Sequence, residues 1–211
     1  MNNKFIVVEG LDGSGKTTIV SKIVQYFNNN NITNLITVHE PGGTKISDSL
    51  RFLIKNGAID ESITNMTEVL MLYAARSQLL ENIVKPALTK GDWVIGDRFD
   101  LSSFAYQGGG RGVDEFFLYL LSKSVINNLF PHLIFYLDIA PEISLLRVKN
   151  RDKLDRIEKE PLSFFYKVRE YYKKVAAIQK NIITINANQS LEIVSRSIYQ
   201  YLDVWLYNWF K

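Results

Sequence analysis

The chain contains no cysteine, which excludes a disulfide framework, thiolate catalysis and any cysteine-based metal site. Histidine is almost as scarce: His39 and His132 are the only two, too few for a zinc centre. No stretch of eighteen uninterrupted apolar residues occurs, and the opening Met-Asn-Asn-Lys leads straight into a strand-like run, so neither a membrane span nor a signal segment is expected. A cytoplasmic protein with no membrane partner is the expectation. Charge of one sign is lacking too. The 25 Lys and Arg against 22 Asp and Glu give a net +3, dispersed along the chain, which argues against a nucleic-acid-binding face and favours small anionic partners. Nothing rich in Pro, Gly or Ser divides the 211 residues, and no internal repeat is present. A single domain over 1–211 is expected, long enough and apolar enough, at 46% hydrophobic, to bury a sizeable core.

What the chain does contain begins at Gly10-Leu11-Asp12-Gly13-Ser14-Gly15-Lys16-Thr17, which fits G-x-x-x-x-G-K-[ST]. The apolar run Phe5 to Val8 precedes it, and Thr18-Ile19-Val20 opens a helical pattern, the strand, loop and helix context that this phosphate loop requires. Glycines let such a loop wrap a polyphosphate, its N–H groups point inward, and the positive end of the helix adds to them. Lys16 is placed to reach the β- and γ-phosphates, and the Thr17 hydroxyl to complete a Mg²⁺ shell. ATP or GTP is thereby implied; the reaction is not.

Four further apolar runs alternate with helical patterns: Ile36 to Val38, Trp93 to Ile95, Leu133 to Leu137 and Ile182 to Ile185. Together with the first they predict an α/β fold, a five-stranded parallel sheet with helices on both faces. Ligands of such sheets bind beyond the carboxyl ends of the strands, which here carry Glu9, Glu40, Asp97 and Asp138. Helices are predicted over 67–88, 114–129 and 191–209, with Asn28 to Asn31 a surface loop closing the first helix.

Phosphoryl transfer asks a protein mainly to align two anions and neutralise their charge, so arginines are the residues to seek. Arg51, Arg76 and Arg98 lie in separate segments, and Arg98 follows a strand end directly, where its planar fork suits an acceptor phosphate. Asp97, beside it, is suited to hold a Mg²⁺-bound water or, alternatively, to form a structural ion pair with Lys16 or an arginine. Residues 147–156 carry five cations, with Arg147 and Arg151 one helical turn apart, and predict a mobile lid over about 142–160 that closes on the nucleotide. The run Ser102 to Gly112 offers hydroxyl, amide and aromatic groups before a glycine-rich turn, suitable for a base edge and a sugar wall or equally for a flexible loop.

These segments together resemble bacterial thymidylate kinases of the type with catalytic arginines in the lid. The shared marks are the phosphate loop with Glu9, Glu40-Pro41-Gly42-Gly43-Thr44, Tyr73-Ala-Ala-Arg76, Gly96-Asp97-Arg98, Ala105 to Gly112, Phe135-Tyr-Leu-Asp138 and Leu154-Asp-Arg156-Ile-Glu158, spanning essentially the whole chain. The resemblance implies a three-layer phosphate-loop NTPase fold, ATP-dependent conversion of dTMP to dTDP for DNA precursor supply, Mg²⁺ and a homodimer. It implies that Asp12 lies near the sugar 3′-hydroxyl, that Arg98 holds the dTMP phosphate with Arg51 beside it, and that Arg76 meets the thymine carbonyl. Ser103 and Gln107 then border the base, Tyr106 disfavours a ribose 2′-hydroxyl, Arg151 bridges the transferred phosphoryl group and Arg147 packs near adenine. Two positions depart from the family pattern: Leu72 stands where a Phe usually stacks on thymine, and Lys149 where Arg is frequent. A kinase for another nucleotide shares most of these features; a GTPase switch is disfavoured, since no Asn-Lys-x-Asp occurs.

Overall fold

Five parallel strands form one sheet in the order β2-β3-β1-β4-β5: β1 Phe5–Gly10, β2 Leu35–His39, β3 Trp93–Asp97, β4 Leu133–Asp138 and β5 Ile182–Asn186. All five predicted strands are present, each longer than its apolar run because ladder pairing continues into the polar residue at the strand end, as in Val8 opposite Asp97. The computed structural model describes residues 4–150 and 154–209. β1 is central and buried along its whole length, which is why its sequence is a continuous apolar run and not an alternating one. The chain runs from β1 out to β2, back to β3, then across β1 to β4, so β1 and β3 end side by side.

Helices cover both faces. α1 (Lys16–Asn29) and α9 (Leu191–Trp209) pack on one, where Trp93 lies edge-on between Phe27 and Trp205 and the Tyr26 and Tyr199 rings stack at 5.1 Å. α8 (Leu162–Ala176) packs on β4 and β5 from the other, with Tyr172 stacked on Tyr136 at 4.9 Å. α2 (Lys45–Asn56), α3 (Asn65–Leu79) and α6 (Glu115–Ile126) form an outer group beside that layer.

Two predicted helices and one further segment differ from the sequence expectation. The helix expected over 67–88 starts earlier, at Asn65, because the Thr64 hydroxyl caps it by accepting the Thr67 N–H at 3.1 Å. It also breaks into a π-helical turn at Leu80–Val84 before α4 (Lys85–Lys90), which lets Pro86 sit in a first turn where no N–H is needed. The helix expected over 114–129 is shorter: Asp114 is its cap, and Asn127 and Asn128 end it in left-handed conformations. Residues 102–112, expected to border a base and sugar or equally to form a flexible loop, are largely wound: α5 (Asp100–Ser103) continues into a π-helical segment, Phe104–Gly110. Its glycines serve close packing, since a Cβ on Gly110 would lie 2.4 Å from Phe164 Cε2 on α8.

Candidate active site

The chain leaves β1 through Gly10 and enters α1 at Lys16, with Gly15 at φ +94° as the cap residue. The first turn of α1 contains no acidic residue, so nothing on the helix competes for the N–H groups that face the loop. Ser144 on α7 (Pro141–Lys149) secures the loop from outside by donating to the Asp12 carbonyl at 2.5 Å. Lys16 is folded back on the loop, its Nζ 2.8 Å from the Leu11 carbonyl and 3.8 Å from Asp12 Oδ1. Burial, with Arg98 near by, lowers the Lys16 amine to about 8. Thr17 donates its hydroxyl to Asp97 Oδ2 at 2.6 Å, so these two predicted neighbours do meet at the mouth of the loop.

Arg98 stands just past β3 and points across to the loop. Its Nη2 donates to Asp12 Oδ1 at 2.8 Å and to the Tyr106 hydroxyl at 3.2 Å, and its guanidinium lies 4.9 Å from the Tyr106 ring centre. Burial alone would raise the Asp12 carboxyl; Arg98 and Lys16 outweigh it and hold the group below the usual carboxylate range.

Arg76 on α3 is almost fully buried and donates to three acceptors: Glu40 Oε2 at 2.7 Å, Asp100 Oδ1 at 3.0 Å and Ser103 Oγ at 3.0 Å. Asp100 is itself held by the hydroxyls of Tyr73, at 2.8 Å, and Ser122, at 2.7 Å. Arg51 on α2 donates to the Pro41 carbonyl at 2.6 Å.

Two clefts open here. One is lined by Leu72, Arg76, Phe99, Ser103, Tyr106 and Gln107 among others; the second, wider one runs along Gly13, Gly15, Lys16, Thr17 and Thr18. Asp12, Glu40, Arg51, Lys55 and Arg98 line both, so the clefts join at the Asp12–Arg98 pair.

The sequence model of the thymidylate kinase family matches residues 8–198. The chain belongs to the thymidylate kinase family. It is 64% identical over 211 residues to the thymidylate kinase of Blochmanniella floridana, covering all of both chains, and 61% identical over 206 residues to that of Blochmanniella pennsylvanica strain BPEN, covering 97% of each. A crystal structure of thymidylate kinase from Ehrlichia chaffeensis superimposes with a TM-score of 0.75 at 28% identity, covering 94% of this chain and 97% of that one. The fold is therefore the phosphate-loop NTPase fold of thymidylate kinases, and membership carries the family's reaction, ATP-dependent phosphorylation of dTMP to dTDP.

Of the residues singled out in the sequence, Asp12, Gly13, Gly15, Lys16, Thr17 and Thr18 of the loop line these two clefts, as do Asp97, Arg98, Arg51, Leu72, Arg76, Ser103, Tyr106 and Gln107; Gly10, Leu11 and Ser14 do not. Gln107 does so with its amide turned aside, donating to Glu68 at 2.7 Å. Arg147 lies over the loop, its Nη1 3.3 Å from the carbonyls of Gly13 and Ala187. Arg151, and with it the expected helical turn from Arg147, lies outside the described residues; α7 ends at Lys149. The segment 154–160 is tied down: Arg156 pairs with Glu68 and donates to the Ile54 carbonyl at 2.9 Å, and Lys55 pairs with Asp155 at 2.8 Å. Sequence reasoning assigned no role to Lys55, Glu68, Phe99 or Asp100. Phe99 and Asp100, which directly follow Arg98, carry a positional signal; Lys55 and Glu68 carry none.

Proposed function

We infer that the two clefts divide the family's reaction between them, the loop cleft taking ATP and the smaller cleft taking dTMP. The Asp12–Arg98 contact of 2.8 Å, at the point where the clefts join, carries this reading: it holds a partly buried cation at the junction, where this reading has the acceptor and donor phosphates meet. Lys16 exchanges the Leu11 carbonyl for the β- and γ-phosphates, a short movement of a flexible stem. Arg98 grips the acceptor phosphate, with Arg51 beside it, and Asp12 keeps the guanidinium aimed while lying near the sugar 3′-hydroxyl. Arg76, held rigid by three acceptors, presents donors to the thymine carbonyl; Leu72 supplies an apolar wall, Ser103 and Gln107 border the base, and Tyr106 fills the space a 2′-hydroxyl would need. No general base is required, because the attacking phosphate oxygen is already ionised at neutral pH. It attacks the γ-phosphorus in line, ADP leaves, and Arg151 meets the charge on the transferred group, while Arg147 packs near adenine from its place over the loop.

The donor set at the mouth fits Mg²⁺: two hard oxygens, Thr17 Oγ1 and Asp97 Oδ2, stand 2.6 Å apart beside the phosphate loop. Among the described residues no group of three His, Cys, Asp or Glu forms a closed metal cage, as suits an ion held largely by substrate phosphates and water. Thr17 would hold the ion directly and Asp97 through a water, and the ion would supply neutralisation of the charge on the donor phosphates.

Residues 142–160 act as a lid in this reading, within one domain spanning 1–211. A homodimer is supported by the exposed apolar side chains of Phe52 on α2, Leu70 on α3 and Phe116 and Tyr119 on α6, three helices packed in sequence. A cytoplasmic location is part of this reading; no helix among the described residues is long and apolar enough to cross a membrane. Offering dTMP, dUMP, dCMP and AMP in one coupled ADP-release assay tests the assignment: dTMP should be turned over far faster than the rest, and a preference for dCMP or AMP would refute it.

A further inference from the structure

Arg98 adopts a conformation that its residue type resists. Its φ is +69°, and the other non-glycine residues with positive φ among those described are Asn31, Asp60, Asn127 and Asn128, types that enter the left-handed region readily. A left-handed arginine persists only where its surroundings fix it. On its amino side the Arg98 N–H is held by the Val8 carbonyl at 2.9 Å, an extension of the pairing between β1 and β3.

On its carboxyl side the fixing group is Glu9. This side chain is completely buried, yet it sits at the end of the central strand where an apolar residue would continue the core. Its Oε1 accepts the Phe99 N–H at 2.8 Å and the Ser102 N–H at 3.3 Å. Its Oε2 accepts the Ser102 hydroxyl at 2.6 Å and the Tyr172 hydroxyl at 3.0 Å. Ser102 Oγ in turn accepts from Arg98 Nη1 at 3.0 Å. One carboxylate thus ties down the peptide that follows the strained residue, the first turn of α5, and the hydroxyl that receives the guanidinium. With both oxygens engaged and no exposed surface, Glu9 is not a substrate contact.

We propose that Glu9 is a positioning residue for phosphoryl transfer, holding Arg98 in its left-handed conformation so that the guanidinium faces the junction of the two clefts. The proposal rests on the reading of Arg98 as the clamp on the acceptor phosphate. Tyr172 extends the hold to α8, since its hydroxyl lies 2.8 Å from Ser102 Oγ as well as on Glu9.

The test is steady-state kinetics with both substrates on Arg98→Ala, Glu9→Ala, Glu9→Gln, Tyr172→Phe and the Glu9→Ala/Arg98→Ala double variant. Glu9→Ala should raise the dTMP KM about tenfold or more while leaving the ATP KM within about twofold. Glu9→Gln, which keeps an amide oxygen for the Phe99 and Ser102 N–H groups, should recover most of the loss. In the double variant Glu9→Ala should add nothing to the Arg98→Ala defect, because the group it positions is gone. Multiplying defects, or an unchanged dTMP KM in a folded Glu9→Ala protein, would overturn the proposal. Should Glu9→Ala not fold, Tyr172→Phe decides: a dTMP KM raised several-fold at constant ATP KM supports the proposal, and an unchanged one overturns it. If Arg98→Ala itself leaves the dTMP KM unaltered, the clamp reading fails and the proposal with it; if only the Glu9 and Tyr172 variants are silent, the proposal alone fails.

Discussion

Replacing Glu40 by Gln measures what the acceptor cleft costs the fold. Glu40 is only 5% exposed; its Oε2 accepts the Arg76 Nε–H at 2.7 Å, but its Oε1, also buried, has no hydrogen-bond partner among the described residues. Burial raises this carboxyl from 4.5 to about 7, with Arg76 opposing the rise and Asp100 adding to it. A carboxyl raised on folding binds its proton more tightly in the folded state, so its contribution to stability is complete below pH 4.5 and is lost as pH climbs through 7. Across that interval the loss is about 3 kcal/mol, most of it between about pH 5 and pH 8. Glutamine does not titrate, and its amide oxygen still accepts from Arg76. Urea unfolding of both proteins across this range should therefore show wild type losing about 2 to 3 kcal/mol relative to Glu40→Gln as pH rises, other titrating groups being common to the pair. Parallel pH profiles would refute the reasoning, since Glu40 would then be equally ionised in the folded and unfolded chain.

Three further outcomes are expected. Leu72→Phe adds a ring to the apolar wall of the smaller cleft and should lower the dTMP KM by a factor of about 2 to 10, the range that aromatic stacking supplies; an unchanged value would count against Leu72 as a base contact. Asp97→Asn leaves Thr17 a hydrogen-bond partner but removes the charge beside the metal position, so the Mg²⁺ concentration for half-maximal turnover should rise about tenfold or more. Gly110→Ala forces a methyl to 2.4 Å from Phe164 Cε2 and should lower unfolding stability by about 1 to 3 kcal/mol, read by thermal melting.

Much of this architecture was legible in the sequence because its signals are local. Each strand is a short apolar run, and the phosphate loop needs its glycines and its lysine at fixed spacing. The arginines were recognisable from their segments, and Arg98 and Arg76 do stand at the clefts. What was not legible depends on contacts made far along the chain. Residues 102–112 look like a loop by glycine content, but they wind into a helix because Gly109 and Gly110 let α8 approach, and Tyr171 and Phe164 are more than fifty residues away. Glu68 carries no motif of its own; it matters because α3 brings it to Gln107, Arg111 and Arg156, which ties down the segment around Arg156. The strain at Arg98 is likewise invisible in sequence, since nothing in Gly96-Asp97-Arg98 announces a left-handed arginine.

The central claim is that Arg98 binds the phosphate of the acceptor nucleotide, and calorimetric titration of dTMP and of thymidine into wild type and Arg98→Ala tests it most directly. In wild type dTMP should bind more tightly than thymidine, by a factor of about 10 to 150 for a charge-assisted contact, and in Arg98→Ala the two should bind nearly alike. If Arg98→Ala retains the wild-type preference for dTMP over thymidine, the phosphate is held elsewhere and the account of the site is wrong.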